Sequence, residues 1–351
     1  MRRSLQPALF FALMSMSCGA PSAGEPRDDT RPEARAALAE PARTLAETGL
    51  YVDADRGTLT PGLLRFSPQY PLFTDGATKE RYVALPPGTW IDASDPEAWR
   101  FPVGTRIWKE FSFGRPVETR FMELTAQGWT YATYVWNEEG TEALLASDGG
   151  LELPLGDAGP ASRHSIPSRA DCIACHGNAE TPVLGFSLLQ LSPDRDPLAP
   201  HAAPARPGDA DLPTLVSRGL LRGLPPSHLA RPPRIEARSP IERAALGYLH
   251  GNCGGCHRDT GALAGLGMRL AHDSSEALEP ALASTVGVAS GFALPDAPTL
   301  PALRVAPGRP DSSVLLARIR SRDPYSQMPP IGTHVVDDEA VRLVAAWIES
   351  L

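Results

Sequence analysis

The sequence predicts an α+β chain of several domains: an N-terminal all-β unit, a loop-rich middle segment and an all-α C-terminal domain. Three observations carry that expectation. Between residues 50 and 155, stretches rich in β-branched and aromatic residues alternate with partial period two and are separated by Gly or Pro breaks. The middle of the chain is crowded with Pro and Ala and has few large apolar side chains. Beyond residue 239, helix-start signals and an apolar stripe at helical spacing take over. The 351 residues give room for two or three domains. With 37 Pro and 31 Gly against 7% aromatics, they suggest small folded units joined by irregular segments. A net charge of −8 argues against nucleic acid, whose binding calls for basic patches.

The N-terminal residues 1–18 read as a leader. Arg2 and Arg3 precede the apolar run 8–16, which is too short to span a bilayer as a helix. The run ends at Ser17-Cys18-Gly19, which resembles a bacterial lipobox with Cys18 as the lipidated residue. Cleavage nearby by an ordinary signal peptidase is the alternative. Either route exports the chain, to the periplasmic side of the envelope. In the first case it is held to a membrane by lipid. Residues 19–45 mix Pro, Ala, Glu and Arg, cannot bury a core, and read as a tether.

Residues 46–160 form the β-rich unit, expected as a small sandwich. Its clearest strand patterns are 106–113 (RIWKEFSF), 117–124 (VETRFMEL) and 129–136 (WTYATYVW). Residues 161–238 hold a short helix that Ser168 caps, Pro-rich loops and a second short helix over 214–224. Residues 239–351 open on a capping box, with Ser239 at N-cap, Pro240 at N1 and Glu242 at N3. At the far end Asp337 or Asp338 caps a helix whose Val341, Val344, Trp347, Ile348 and Leu351 form one stripe.

Two five-residue motifs carry the chemistry: Cys172-Ile173-Ala174-Cys175-His176 and Cys253-Gly254-Gly255-Cys256-His257. C-x-x-C-H is the attachment pattern of a c-type haem. The two sulfurs bond the porphyrin's vinyl carbons, and the following His is placed under the iron as proximal ligand. A four-cysteine zinc site or a pair of redox disulfides is the competing reading. The gap from Cys175 to Cys253 is far longer than the roughly 15–20 residues of a compact zinc ribbon, and neither alternative requires a His after each pair. Four of the five cysteines lie in these motifs and the fifth ends the leader, so none remains for a structural disulfide. The expected cofactors are two covalently bound haems c, with His176 and His257 as proximal iron ligands.

Each iron also has a distal position. Met328 lies in a Pro-stiffened loop, Tyr325-Ser326-Gln327-Met328-Pro329-Pro330, between two expected helices, and is the candidate for the second haem. For the first haem the candidates are Met122 on a β-strand, His164 or His201, or no protein ligand at all. Met268 reads as a packing residue, and His228, His250, His272 and His334 as surface or structural ones. Arg169 could face a haem propionate but reads as an exposed arginine.

With these residues placed, residues 239–351 resemble the class I cytochrome c fold, through the pre-motif helix, the C-x-x-C-H, the Met-Pro-Pro loop and the Trp-bearing terminal helix. More widely, segments 70–77 (YPLFTDGA), 101–105 (FPVGT), 117–120 (VETR) and 166–176 (IPSRADCIACH) resemble a bacterial dihaem c-type cytochrome family. There a β-rich region and a first haem motif precede a cytochrome c domain. Similar segments also occur attached to quinoprotein sugar dehydrogenase-like domains. The resemblance implies an exported electron carrier working between periplasmic or membrane redox proteins. Two other readings stay open: a dihaem peroxidase-like oxidoreductase, with an open distal site on the first haem, and a β unit that docks a partner enzyme.

Overall fold

The strand patterns around residue 120 become a sheet whose two faces are both covered. A computed structural model of the chain describes residues 40–52, 57–156, 159–177, 182–276, 278–294 and 302–351. The leader, Cys18 and residues 19–39 of the expected tether lie outside the described residues. The ten strands are β1 (Leu64–Arg65), β2 (Thr78–Ala84), β3 (Ile91–Asp92), β4 (Arg106–Phe113), β5 (Arg115–Thr125), β6 (Gly128–Trp136), β7 (Ala143–Leu145), β8 (Leu151–Pro154), β9 (Arg163–Ile166) and β10 (Leu221–Arg222). The helices are α1 (Arg169–His176), α2 (Leu212–Ser217), α3 (Ser227–Ala230), α4 (Pro240–Asn252), α5 (Pro280–Thr285), α6 (Val314–Arg320) and α7 (Asp338–Glu349).

Six strands form one antiparallel sheet in the order β1-β2-β4-β5-β6-β7, and β3 with β10 and β8 with β9 make two small ladders. This is a single main sheet and not a sandwich. On one face Tyr82, Trp108, Ala132 and Tyr134 pack with Leu45 and Leu50. On the other, Val83, Ile107 and Met122 pack under Val183, Phe186, Leu188 and Leu191 from the segment after the first motif. Burial on both faces is why the alternation in the sequence is only partial. The fold has begun by residue 43, inside the stretch read as tether: Leu145 N donates to Arg43 O at 2.9 Å, and Leu45 is buried.

The C-terminal helices do not form a separate all-α domain, which corrects the expected class I cytochrome c-like unit over 239–351. Residues 41–351 cluster as one unit. The physical reason lies in the face that α4 presents. Gly247 and Gly251 leave room for Tyr70, and a Cβ at either position would overlap that residue. Asn252 at the end of α4 then accepts from Phe73 N at 2.7 Å and donates to Pro71 O at 3.2 Å. Tyr70 and Leu189 share one apolar core with Leu246, Leu249, Leu316, Val344 and Trp347. The loop that carries Tyr70 is fixed by Gln190, whose Oε1 accepts from Tyr70 N and whose amide donates to Tyr70 O. A helical domain cut away at residue 239 would expose this core, so the β-rich and helical parts are one body.

The helix ends follow from the caps. Ser239 accepts from Glu242 N at 3.1 Å. Glu242 does not close the box on Ser239; its carboxylate takes Arg238 N at 2.9 Å and the Trp347 indole at 3.3 Å. This ties the start of α4 to α7. Asp337 caps α7 through Ala340 N at 3.1 Å. The helix expected over 214–224 is shorter: Asp211 caps it, and Gly219 at φ 67° turns the chain out into β10. No helix of the described residues is long and apolar enough to cross a membrane.

Candidate functional site

The first motif rides on α1, an eight-residue helix with a full capping box: Asp171 N donates to the Ser168 hydroxyl, and Ser168 N to the Asp171 carboxylate. No residue of α1 is fully buried; Cys172, Cys175 and His176 are half-buried. Its position is set at the ends. Arg169 pairs with Asp148, Nη2 to Oδ1 at 3.0 Å, which commits that arginine away from any propionate. At the C-terminal end, the His176 ring lies against Tyr131 of β6 with centroids 5.6 Å apart, and His176 Nδ1 is 2.6 Å from Pro182 O.

That last contact fixes the tautomer. A carbonyl only accepts, so Nδ1 carries the proton and Nε2 keeps its lone pair. Burial pushes the ring's pKa down to about 4, against the opposing pull of the Pro182 carbonyl. The imidazole is therefore neutral at physiological pH, the form that ligates a metal. A ligating His usually donates its second nitrogen to a carbonyl or carboxylate, as here.

The second motif begins at the C-terminal end of α4, where Cys253 N bonds Leu249 O at 2.9 Å. His257 is buried, its carbonyl accepts from Leu270 N at 2.9 Å, and its Nδ1 has no partner among the described residues. Burial, with the charges of Arg318 and Arg304, lowers its pKa. The loop of Met328 is bound to that same Arg318: Met328 N donates to Arg318 O at 2.9 Å, and Arg318 Nε to Ser326 O at 3.0 Å.

The two motifs, far apart in sequence, lie near one another: Leu184, just after the first, stands beside Gly255 of the second. The neighbouring Cys175 and Cys256 shift each other's titration, Cys256 downward and Cys175 upward, with burial adding to the rise. Burial, with a smaller contribution from Cys256, pushes Cys253 up to about 12. Among the described residues no disulfide joins the four cysteines, and no group of three or more His, Cys, Asp or Glu is arranged to hold a metal ion. The zinc reading therefore lacks a converging ligand set there.

Met122 is buried on β5, directly paired with Tyr131 of β6 and Ile107 of β4. It shares a sheet face with the residue that touches His176. The other two candidates are engaged. His164 Nε2 bonds Glu118 Oε1 at 2.9 Å, and His201 Nε2 bonds Asp337 at 2.9 Å beside the Phe73 ring. Met268 is half-buried against the helical core. His250 accepts from His272 N, His272 bonds Glu279, and His334 bonds Asp75, so these three serve the frame.

Sequence reading missed a set of charged residues on that same face. Because side chains alternate along a strand, the register stacks three tiers across β2, β4, β5 and β6. The first is Lys79, Phe111, Glu118 and Val135; the second Arg81, Lys109, Arg120 and Thr133; the third Val83, Ile107, Met122 and Tyr131. Arg81 is buried, and Lys79, Lys109 and Arg120 are half-buried. Burial and the guanidiniums of Arg81 and Arg120 bring Lys79 down to about 7. Glu118 is fully buried; burial pushes its pKa up, but Arg120 and the bond from His164 outweigh this and hold it below its ordinary value. The signal was present as basic residues two apart in a strand pattern, but only the register assembles them.

The residues present fit covalently attached haem in three respects. His176 is held through Nδ1 so that Nε2 keeps its lone pair, the two motifs lie near one another, and apolar side chains stand exposed at them. These are Ile173 in the first motif and Leu184 against Gly255 of the second. No protein-family profile, curated protein or solved structure matches the chain.

Proposed function

We propose that the protein is an exported dihaem c-type cytochrome that carries electrons between periplasmic or membrane redox partners. Cys172 and Cys175 hold one haem c, and Cys253 and Cys256 the other. His176 and His257 are the proximal ligands, Met328 the distal ligand of the second haem and Met122 that of the first. When bound, each haem supplies a one-electron iron couple whose potential the axial ligands set. The observation that carries the reading is the pair of C-x-x-C-H motifs brought near one another, with His176 Nδ1 bonded to Pro182 O and Leu184 beside Gly255. Two attachment pairs close together would put two redox centres in one folded body, an arrangement suited to relaying electrons.

The remaining tasks fall to the chain. Pro182 O holds the proton on His176 Nδ1, and Tyr131 braces the ring. Arg318 holds the Met328 loop to α6. The segment 183–191 closes the sheet core over Met122. The lipobox-like Cys18 provides the membrane attachment, and the resemblance to the dihaem cytochrome family supports the same role.

Redox titration of the haem-loaded chain tests the proposal. Two reversible one-electron couples are expected within the roughly 0.8 V that axial ligation spans, and no reversible couple there contradicts it. In the oxidised protein the far-red Met–iron charge-transfer band should fall stepwise in Met122→Ala and Met328→Ala. A second reading, peroxide chemistry at the first haem, draws on the buried Glu118–His164 pair, since an acid–base residue near an open iron is what that reaction needs. A high-spin first haem with rapid peroxide turnover supports it; two low-spin haems remove it.

A further inference from the structure

We infer that the haem attached at Cys172 and Cys175 lays its propionate carboxylates on a cationic row crossing the sheet, formed by Arg81 and Lys109 with Lys79 beside them. The inference rests on the haem reading above and assigns residues to a part of that group the motifs do not hold.

The row is an electrostatic anomaly as it stands. Arg81, Lys109 and Arg120 are direct cross-strand neighbours on β2, β4 and β5. Like charges directly opposite one another destabilise a sheet, and half-buried cations cost more still unless paired. Only Arg120 is neutralised: its Nε reaches both Glu118 oxygens at 3.1 Å, and its Nη2 one of them at 2.6 Å. Among the described residues, Arg81, Lys109 and Lys79 form no salt bridge. The acids whose charge reaches Lys79, Asp75 and Asp337, are bound to His334 and His201. The fully buried ring of Phe111 lies under the cations, with Arg120 4.4 Å, Lys109 4.8 Å and Lys79 5.8 Å from its centroid. A ring face attracts cations but does not discharge them. Arg81 keeps its charge without a partner, while burial and the neighbouring cations push Lys109 well below its ordinary value and Lys79 to about 7; two carboxylates laid on the row would restore those charges.

The row is also placed for that ligand. Its near end, Arg120, lies close enough to Cys172 and Cys175 for their charges to interact. Lys109 and Arg120 are likewise felt at His176. From there it runs across the strands away from β6, against which His176 is braced. At a strand spacing of about 4.8 Å, β2 lies roughly 14 Å from β6. A porphyrin bonded through its vinyl groups carries its propionates on the opposite edge. The cysteines take the near edge and the far cations, Arg81 above all, take the far one. An arginine fork binds a carboxylate with two parallel hydrogen bonds, which gives the haem a fixed orientation over the sheet.

The test uses the full chain with both haems attached. Arg81→Gln combined with Lys109→Met should favour the oxidised first haem about tenfold, a fall of about 59 mV for a one-electron couple. The second haem, identified by its response to Met328→Ala, should move less than about twofold. The charge-keeping Arg81→Lys should recover most of the shift. In a Cys172→Ala/Cys175→Ala chain, which cannot attach the first haem, Lys109→Met should raise the unfolding midpoint, because the desolvation and repulsion it relieves outweigh the lost contact with the Phe111 ring. In the unaltered protein, infrared redox-difference spectra at neutral pH should show ionised propionates in both oxidation states of the first haem. A chain with two haems whose first potential ignores the substitutions overturns the assignment alone. A propionate that takes up a proton on reduction does the same. An unaltered chain that carries no haem overturns both the assignment and the reading it rests on.

Discussion

His176 ends an eight-residue helix with no fully buried residue, laid beside a sheet, whereas His257 follows a thirteen-residue helix whose residues 242–249 are all buried. The first motif is held at its ends, by the Ser168 box, the Arg169–Asp148 pair and the Pro182 carbonyl. The second is held along its length, by the docking of α4 on Tyr70 and the Glu242–Trp347 tie. The difference teaches where each motif draws its order. The second takes it from apolar burial in the shared core. The first takes it from a few hydrogen bonds, and its His is aimed by a carbonyl before any ligand arrives. Damage to the core should therefore reach both motifs, because the body is one, while damage around α1 should stay local.

Trp347→Ala breaks the comparison most severely. The side chain is fully buried in the core shared with Tyr70, and its loss should cost about 3–5 kcal/mol. Denaturant unfolding should show the whole of residues 41–351 weakened in a single transition; an intact sheet beside a melted helical part contradicts the single body. Gly251→Ala should follow at roughly 1–3 kcal/mol, from overpacking against the backbone of Tyr70. Its second haem should be lost or rhombically distorted in the electron paramagnetic spectrum, with the first less affected.

Ser168→Ala sharpens the other side. Removing the cap should cost about 1 kcal/mol, and hydrogen exchange should rise in α1 alone. Exchange spreading into α4 would mean that the first motif is not local. The smallest effect is a pH dependence at the joint between the two parts. The bond to Asp337 raises the pKa of His201, against the effect of its burial. A raised folded-state value means the contribution is complete below the ordinary value of about 6.5 and is lost as pH rises through the folded one. The wild type's margin in unfolding midpoint over His201→Gln should therefore be largest in mild acid and fade with rising pH. A margin that grows with pH contradicts this.

Much of the frame was legible in the residues. Ser239, Pro240 and Asp337 mark helix starts because caps are local chemistry, and the alternation in 106–113 and 129–136 marks β4 and β6. The domain division was not legible. The short apolar run 183–191, ahead of the Pro-rich loop, supplies Leu188, Leu189 and Leu191 to two cores, and Gly247 and Gly251 look like helix weaknesses until Tyr70 is set against them. In the candidate site the two motifs stand out as words. Their nearness to one another, and the row of Arg81, Lys109 and Arg120, depend on tertiary packing and strand register, which local pattern does not carry.

The central claim is that both C-x-x-C-H motifs attach haem. The direct measurement is the intact mass and pyridine haemochrome spectrum of the denatured full chain, after production in cells able to attach c-type haem. The account predicts a mass increase of two haems that survives denaturation. Cys172→Ala/Cys175→Ala and Cys253→Ala/Cys256→Ala should each reduce it to one. A chain that leaves such cells with four free thiols, or with zinc in place of haem, would contradict it.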